Sequence, residues 1–126
     1  MSARKNLKIL VVDDFSATRT ILINQLSNLG YSNTFVSEDG FSALARLKSS
    51  LFDLVVTDLS MSDMSGLDLL KKIRTDSELK HIPVLMITSE DLQGNIITAI
   101  KAALNDYIIR PFREQTFKQK LDKIFT

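Results

Sequence analysis

Apolar positions along this chain fall into two alternating patterns. Lys8-Ile-Leu-Val-Val-Asp13 is a short, wholly apolar, β-branched run closed by charge, as in a strand covered on both faces. Similar runs recur at 34–37 (the weakest), 54–58, 84–88 and 107–109. Between them lie segments with helical spacing: Ala17 to Leu29, Phe41 to Leu47, Leu67 to Ile73, Leu92 to Ala103 and Phe117 to Phe125. In the first of these Ile21, Leu22, Leu26 and Leu29 read as one stripe, with Ser16 as the cap and Gly30 just past the end. A strand of about 5 residues, a helix of about 11 and two loops of about 4 make a unit of roughly 25. Five such units fill the 126 residues, so 1–126 reads as one domain with nothing left for a linker.

Strict strand–helix alternation implies right-handed crossovers and a parallel sheet with helices on both faces, an α/β, (βα)5 doubly wound architecture. Ligands in such sheets bind at the carboxyl ends of the strands. The first predicted strand ends in Asp13 and Asp14, the third in Asp58, the fourth in Thr88 and Ser89, and the fifth in Arg110-Pro111. A lone strand-end Asp is most simply a cap or a turn residue. Three are a different matter. If the first and third strands are neighbours, as in the flavodoxin-like order 2-1-3-4-5, Asp13, Asp14 and Asp58 converge on the topological switch point. Like charges at such separations need a proton or a cation, and with no soft ligand available a hard, oxygen-seeking ion such as Mg2+ fits best. A carboxylate beside a divalent cation can also attack phosphorus and form an acyl phosphate. The Thr88 hydroxyl and the Arg110 cation would complete recognition of a phosphoryl group.

Composition narrows the field further. Hydrophobic residues make up 44% of the chain and charged residues 25%, which excludes disorder. The absence of Cys removes disulfides, thiolate metal sites and cysteine nucleophiles. His81, the single His, cannot build a multi-histidine zinc site and reads as a loop residue. A net charge of +1 argues against a nucleic-acid partner. The run Ile9 to Val12 is too short for a signal peptide or a membrane span. Phe112, Phe117, Phe125 and Met61, Met64 and Met86 read as packing, and Lys118, Lys120 and Lys123 as a solvated helix face.

With these residues in view, the chain resembles the receiver domain of bacterial two-component response regulators, most closely the stand-alone, CheY-like chemotaxis regulators. The stretches that carry the resemblance are VVDDFS (11–16), EDGFSAL (38–44), the Asp58 strand, GLDLLKKIR (66–74), PVLMITSE (83–90), NII (95–97), Tyr107, Pro111-Phe112 and KLDKIF (120–125). The resemblance implies Asp58 as the phosphorylation site, Asp14, Asp58 and the Ser60 carbonyl as direct Mg2+ ligands, and Asp13 acting mainly through water. It further implies that Thr88 contacts the phosphoryl group, that Tyr107 moves with the switch, and that Ile96, Tyr107 and Lys120 belong to the partner surface. The implied phosphodonor is a CheA-like histidine kinase. The implied output is a flagellar motor switch protein or another protein target, with a phosphatase as a further partner. Such a protein is a cytoplasmic monomer that catalyses only its own phosphotransfer and dephosphorylation.

Several positions depart from the family pattern. Arg110 stands where Lys is almost invariable, before the position of a cis-proline. Ser62 stands where Pro is common, and Ser65 where an Asp-Gly pair is common. The Gly usual before the fifth strand is missing from Ala102 to Asp106, though Asn105 or Asp106 could tolerate a left-handed backbone. Leu92-Gln-Gly94 replaces a lysine-bearing segment. The alternative these departures raise is a phosphate sink, or a docking receiver independent of phosphorylation, that does not bind the flagellar motor switch. A flavodoxin is disfavoured because Asp13 and Asp14 would repel the FMN phosphate. A D-x-D phosphohydrolase is disfavoured because the paired aspartates are consecutive.

Overall fold

The computed structural model describes residues 6–89 and 93–125. Five strands and five helices alternate: β1 (Ile9–Val12), α1 (Ser16–Asn28), β2 (Thr34–Ser37), α2 (Gly40–Ser49), β3 (Leu54–Asp58), α3 (Gly66–Thr75), β4 (Val84–Ser89), α4 (Gln93–Lys101), β5 (Asp106–Arg110) and α5 (Glu114–Ile124). All pairings are parallel and the strand order is β2-β1-β3-β4-β5, the order expected from the alternation. Side chains alternate between the two faces of a strand. Ile9, Val11, Leu54 and Val56 accordingly pack with Leu22 and Leu26 of α1 and Phe117 and Leu121 of α5. Leu10, Val12, Val55 and Met86 pack on the opposite face with α2, α3 and Ala99 of α4. Both faces of the central strands are thus covered, which is why β1 is wholly apolar, whereas the edge strand β2 leaves Phe35 and Val36 partly exposed.

The helices and their ends differ from the sequence reading in three places. The N-cap of α1 is Phe15, whose side chain makes no cap bond, and Ser16 is the first helical residue. The cap function passes to Asp13, which accepts the Phe15 N–H at 2.9 Å. On the same helix Ile21 is 57% exposed, whereas Leu22 and Leu26 are buried, so the apolar stripe is narrower than predicted. Gly30 does close α1 as expected. At φ +96° its N–H donates to the Ser27 carbonyl and the Tyr31 N–H to the Leu26 carbonyl, a double closure that needs a left-handed residue.

The third difference lies before β5. The left-handed residue is Ala103 (φ +67°), not Asn105 or Asp106. Ala103 and Leu104 close α4 in the same double pattern, donating to the Ile100 and Ala99 carbonyls. Asn105 serves another purpose: its Oδ1 accepts from the Val84 N–H at 2.9 Å and from Arg74 Nη2 at 2.8 Å. Arg74 also donates to the carbonyls of Ala103, Lys80 and Ile82. One guanidinium from α3 therefore binds the chain segments that enter β4 and β5. Among the described residues no helix is long and apolar enough to cross a membrane.

Candidate functional site

Strand register determines which side chains meet at the carboxyl edge. Val12 lies opposite Thr57, which sets Asp13, one residue on, level with Asp58. Asp58 lies opposite Ile87, so Thr88 follows immediately, and Ser89 lies opposite Arg110. The central position of β1 and β3 buries the site. Asp13 is fully buried and Asp58 is only 7% exposed, while Asp14 is half-buried. Asp13, Asp14 and Asp58 offer carboxylate oxygens that all lie within 4.8 Å of one another, as the sequence predicts.

A cation of the chain itself reaches into this cluster. Arg110 Nη2 donates to Asp58 Oδ1 at 2.9 Å and to Asp13 Oδ2 at 3.5 Å. The Arg110–Pro111 peptide bond is cis. Burial pushes the Asp58 carboxyl up to about 6, with Asp13 adding to the rise, while Arg110 and the Ser60 backbone N–H hold it down. Burial also raises the Asp13 carboxyl, opposed by the Phe15 N–H and by Arg110. Thr88 is buried, and its hydroxyl donates to the Ser89 carbonyl at 3.3 Å.

The loop after β3 is held rigidly. Gly66 donates its N–H to the Leu59 carbonyl at 2.8 Å, and a Cβ at Gly66 would run into the Asp58 carbonyl oxygen. Only glycine lets α3 start this close to the strand end that carries Asp58. Ser65 caps α3 by accepting the Asp68 N–H at 3.1 Å, and Met64 is buried beside Gly40. Ser62 donates its N–H and its hydroxyl to Asp14 Oδ2 at 3.3 and 3.4 Å.

These carboxylates suit a hard divalent cation. Asp14 Oδ1 is buried and has no hydrogen-bond partner, a costly state for a charged oxygen that a bound ion would relieve. All the offered donors are oxygens.

The expected partner residues are distributed differently. Tyr107 is half-buried on β5. Lys120 Nζ donates to Asp106 Oδ1 at 2.9 Å and sits 5.3 Å from the centre of the Tyr107 ring. Ile96 does not reach the surface as expected; it is 5% exposed, because α4 turns Ile97 (61%) and Ile100 (55%) outward instead. Leu92 lies outside the described residues. Asp106, Arg74 and the Ser62–Asp14 contact were not anticipated as site-shaping features, although the N–H that Ser62 has and Pro lacks was a usable signal for the last.

A doubly wound 2-1-3-4-5 sheet thus holds three carboxylates at its switch point, with a hydroxyl and a cation supplied by the neighbouring strands β4 and β5. The response regulator receiver domain family matches residues 9–122, and the chain belongs to that family. It is 56% identical over 121 residues to chemotaxis protein CheY-3 of Vibrio cholerae serotype O1, covering 96% of this chain and 93% of that one. It is 49% identical over 119 residues to chemotaxis protein CheY of Pseudomonas aeruginosa, covering 94% and 96%. The solved structure of Vibrio cholerae CheY4 superposes with a TM-score of 0.85 at 28% identity, covering 94% of this chain and 98% of that one. The chain is thus a CheY-like receiver domain.

Proposed function

We propose that the chain is a chemotaxis response regulator in which Asp58 accepts a phosphoryl group from a CheA-like histidine kinase. The observation that carries this reading is the position of Asp58, nearly buried between two carboxylates and Arg110. Burial raises the Asp58 carboxyl to about 6, which keeps the ionised, nucleophilic form accessible near neutral pH. One carboxylate oxygen forms the bond to phosphorus as the bond to the donor imidazole breaks, and the imidazole nitrogen takes up a proton. Arg110, already on Asp58, is placed to bind the transferred oxygens, and Thr88 to contact them once its hydroxyl turns from the Ser89 carbonyl.

Mg2+ held by Asp13, Asp14, Asp58 and the Ser60 carbonyl would neutralise charge on the transferring oxygens. The protein acts in the cytoplasm as a signal carrier, catalysing only its own phosphotransfer and dephosphorylation. Its output is a protein target such as the flagellar motor switch, met through α4, β5 and α5, with Tyr107 as the moving part and a phosphatase ending the signal. About half of the residues are shared with chemotaxis proteins, 56% and 49% over most of the chain, which favours this reading over a phosphate sink. Intact mass after incubation with acetyl phosphate tests it. One phosphoryl adduct is expected, with Mg2+ present and Asp58 intact. An adduct that persists in Asp58→Ala or in EDTA overturns the reading.

A further inference from the structure

Asp14 differs from its two neighbours. Among the described residues, Arg110 contacts Asp13 and Asp58 but not Asp14, whose hydrogen bonds come only from Ser62, through the N–H and the hydroxyl. Both land on Oδ2, and Oδ1 stays buried and unpartnered. One carboxylate thus has an anchored oxygen and an open one. Ser62 belongs to the loop that follows Asp58, so its bonds tie the turn bearing Asp14 directly to the turn bearing Ser60, whose N–H holds Asp58.

We propose that Ser62 is a positioning residue for the cation site, fixing Asp14 through Oδ2 so that Oδ1 remains presented to a divalent ion. The inference rests on the cation reading of the three carboxylates given above. Partners of a ligating carboxylate orient it, and their removal typically costs 10–100-fold in metal affinity. Without Ser62, half-buried Asp14 can turn toward water, and its reordering is charged to ion binding. The contacts are long for hydrogen bonds, which puts the effect at the lower end of that range. Proline, common in the family at this position, can supply neither donor. Ser62 is exposed, so its substitution leaves no cavity and the effect separates from folding.

Calorimetric titration with MgCl2 tests the proposal on the full chain, using the parent, Ser62→Ala, Ser62→Pro, Ser62→Thr and Asp14→Asn. Ser62→Ala, which keeps the N–H, should bind about threefold more weakly and Ser62→Pro about tenfold more weakly. Ser62→Thr, which keeps both donors, should match the parent. Urea midpoints in EDTA should be the same for all three Ser62 variants, a pattern that a merely structural role would not give. Binding by Ser62→Ala and Ser62→Pro within twofold of the parent overturns the proposal while leaving the cation site intact. If Ser62→Pro does not fold, the Ala and Thr variants decide between these outcomes. A parent that binds no Mg2+, or binds it as Asp14→Asn does, overturns the cation reading and the proposal with it.

Discussion

The Arg110 guanidinium donates to Asp58 at 2.9 Å, and the same nitrogen stands 3.5 Å from Asp13, so one cation spans two buried carboxylates. Lysine carries a single point charge, whereas arginine presents several donors in a planar fork. Arg110→Met removes that charge while keeping much of the apolar stem. The Asp58 carboxyl should then titrate above its present value of about 6, because the largest opposing influence is gone and burial remains. Stability at pH 7 in EDTA should fall by about 1–2 kcal/mol, less than for a fully buried pair because Arg110 is about a third exposed. Carboxyl carbon NMR follows the titration and urea unfolding the stability. An unmoved Asp58 titration would show that Arg110 does not act on it.

Asp58 also makes stability depend on pH. Its folded carboxyl holds a proton more tightly than the unfolded one, at about 6 against 3.8. The stability this group contributes is therefore fully present below pH 4 and is lost as the pH rises through 6. By the conversion of 1.36 kcal/mol per unit the loss is on the order of 2–3 kcal/mol. Asp58→Asn keeps the shape and cannot ionise. In EDTA it should be about 2 kcal/mol more stable than the parent at pH 8, with the gap closing toward pH 4. Urea unfolding across that range checks it, and a gap independent of pH would remove Asp58 as the cause.

The sheet was legible in the sequence because it is covered on both sides. Ile9 and Val11 are needed by one layer of helices and Leu10 and Val12 by the other, so β1 carries no polar interruption. The carboxylate cluster was legible because strand ends in a parallel sheet converge by topology alone. What stayed hidden depends on partners far along the chain. Ser62 meets Asp14 across 48 residues, and Arg74 meets Ala103 across 29. Ile21 and Leu22 are equally apolar neighbours, and only the packing of α1 on the sheet decides which is buried. Ser16 is a better cap by type than Phe15, but α1 starts one residue earlier, next to the turn in which Asp13 accepts the Phe15 N–H.

Ala103 offers a direct test of how α4 is closed. Its left-handed backbone costs a residue with a Cβ about 1–2 kcal/mol, part of which glycine gives back through unfolded-state entropy. Ala103→Gly should stabilise the protein by about 0.5–1 kcal/mol and raise its melting temperature by about 3 °C. Differential scanning calorimetry measures the change. A lower melting temperature would mean that the strain at Ala103 is smaller than the entropy glycine adds to the unfolded chain.

Asp106 and Lys120 form an ion pair whose two ends are unequally buried, the acid 7% and the lysine 29% exposed. Asp106 Oδ1 takes both Lys120 and the Tyr107 N–H, while Oδ2 is buried without a hydrogen bond and has Lys123 at 3.7 Å. Removing either partner is therefore not equivalent. In Lys120→Met the carboxylate stays buried with Lys123 as its remaining cation, an expected loss of about 2–3 kcal/mol. In Asp106→Asn the Tyr107 amide keeps an acceptor and Lys120 can extend into water, so the loss should be below about 1 kcal/mol. The same variant frees Lys120 from its place over the Tyr107 ring, which should shift the ring resonances. Urea unfolding of the two variants at pH 7 measures the asymmetry. Equal losses would mean that the lysine is as confined as the acid, and the snorkelling route assumed for it would be wrong.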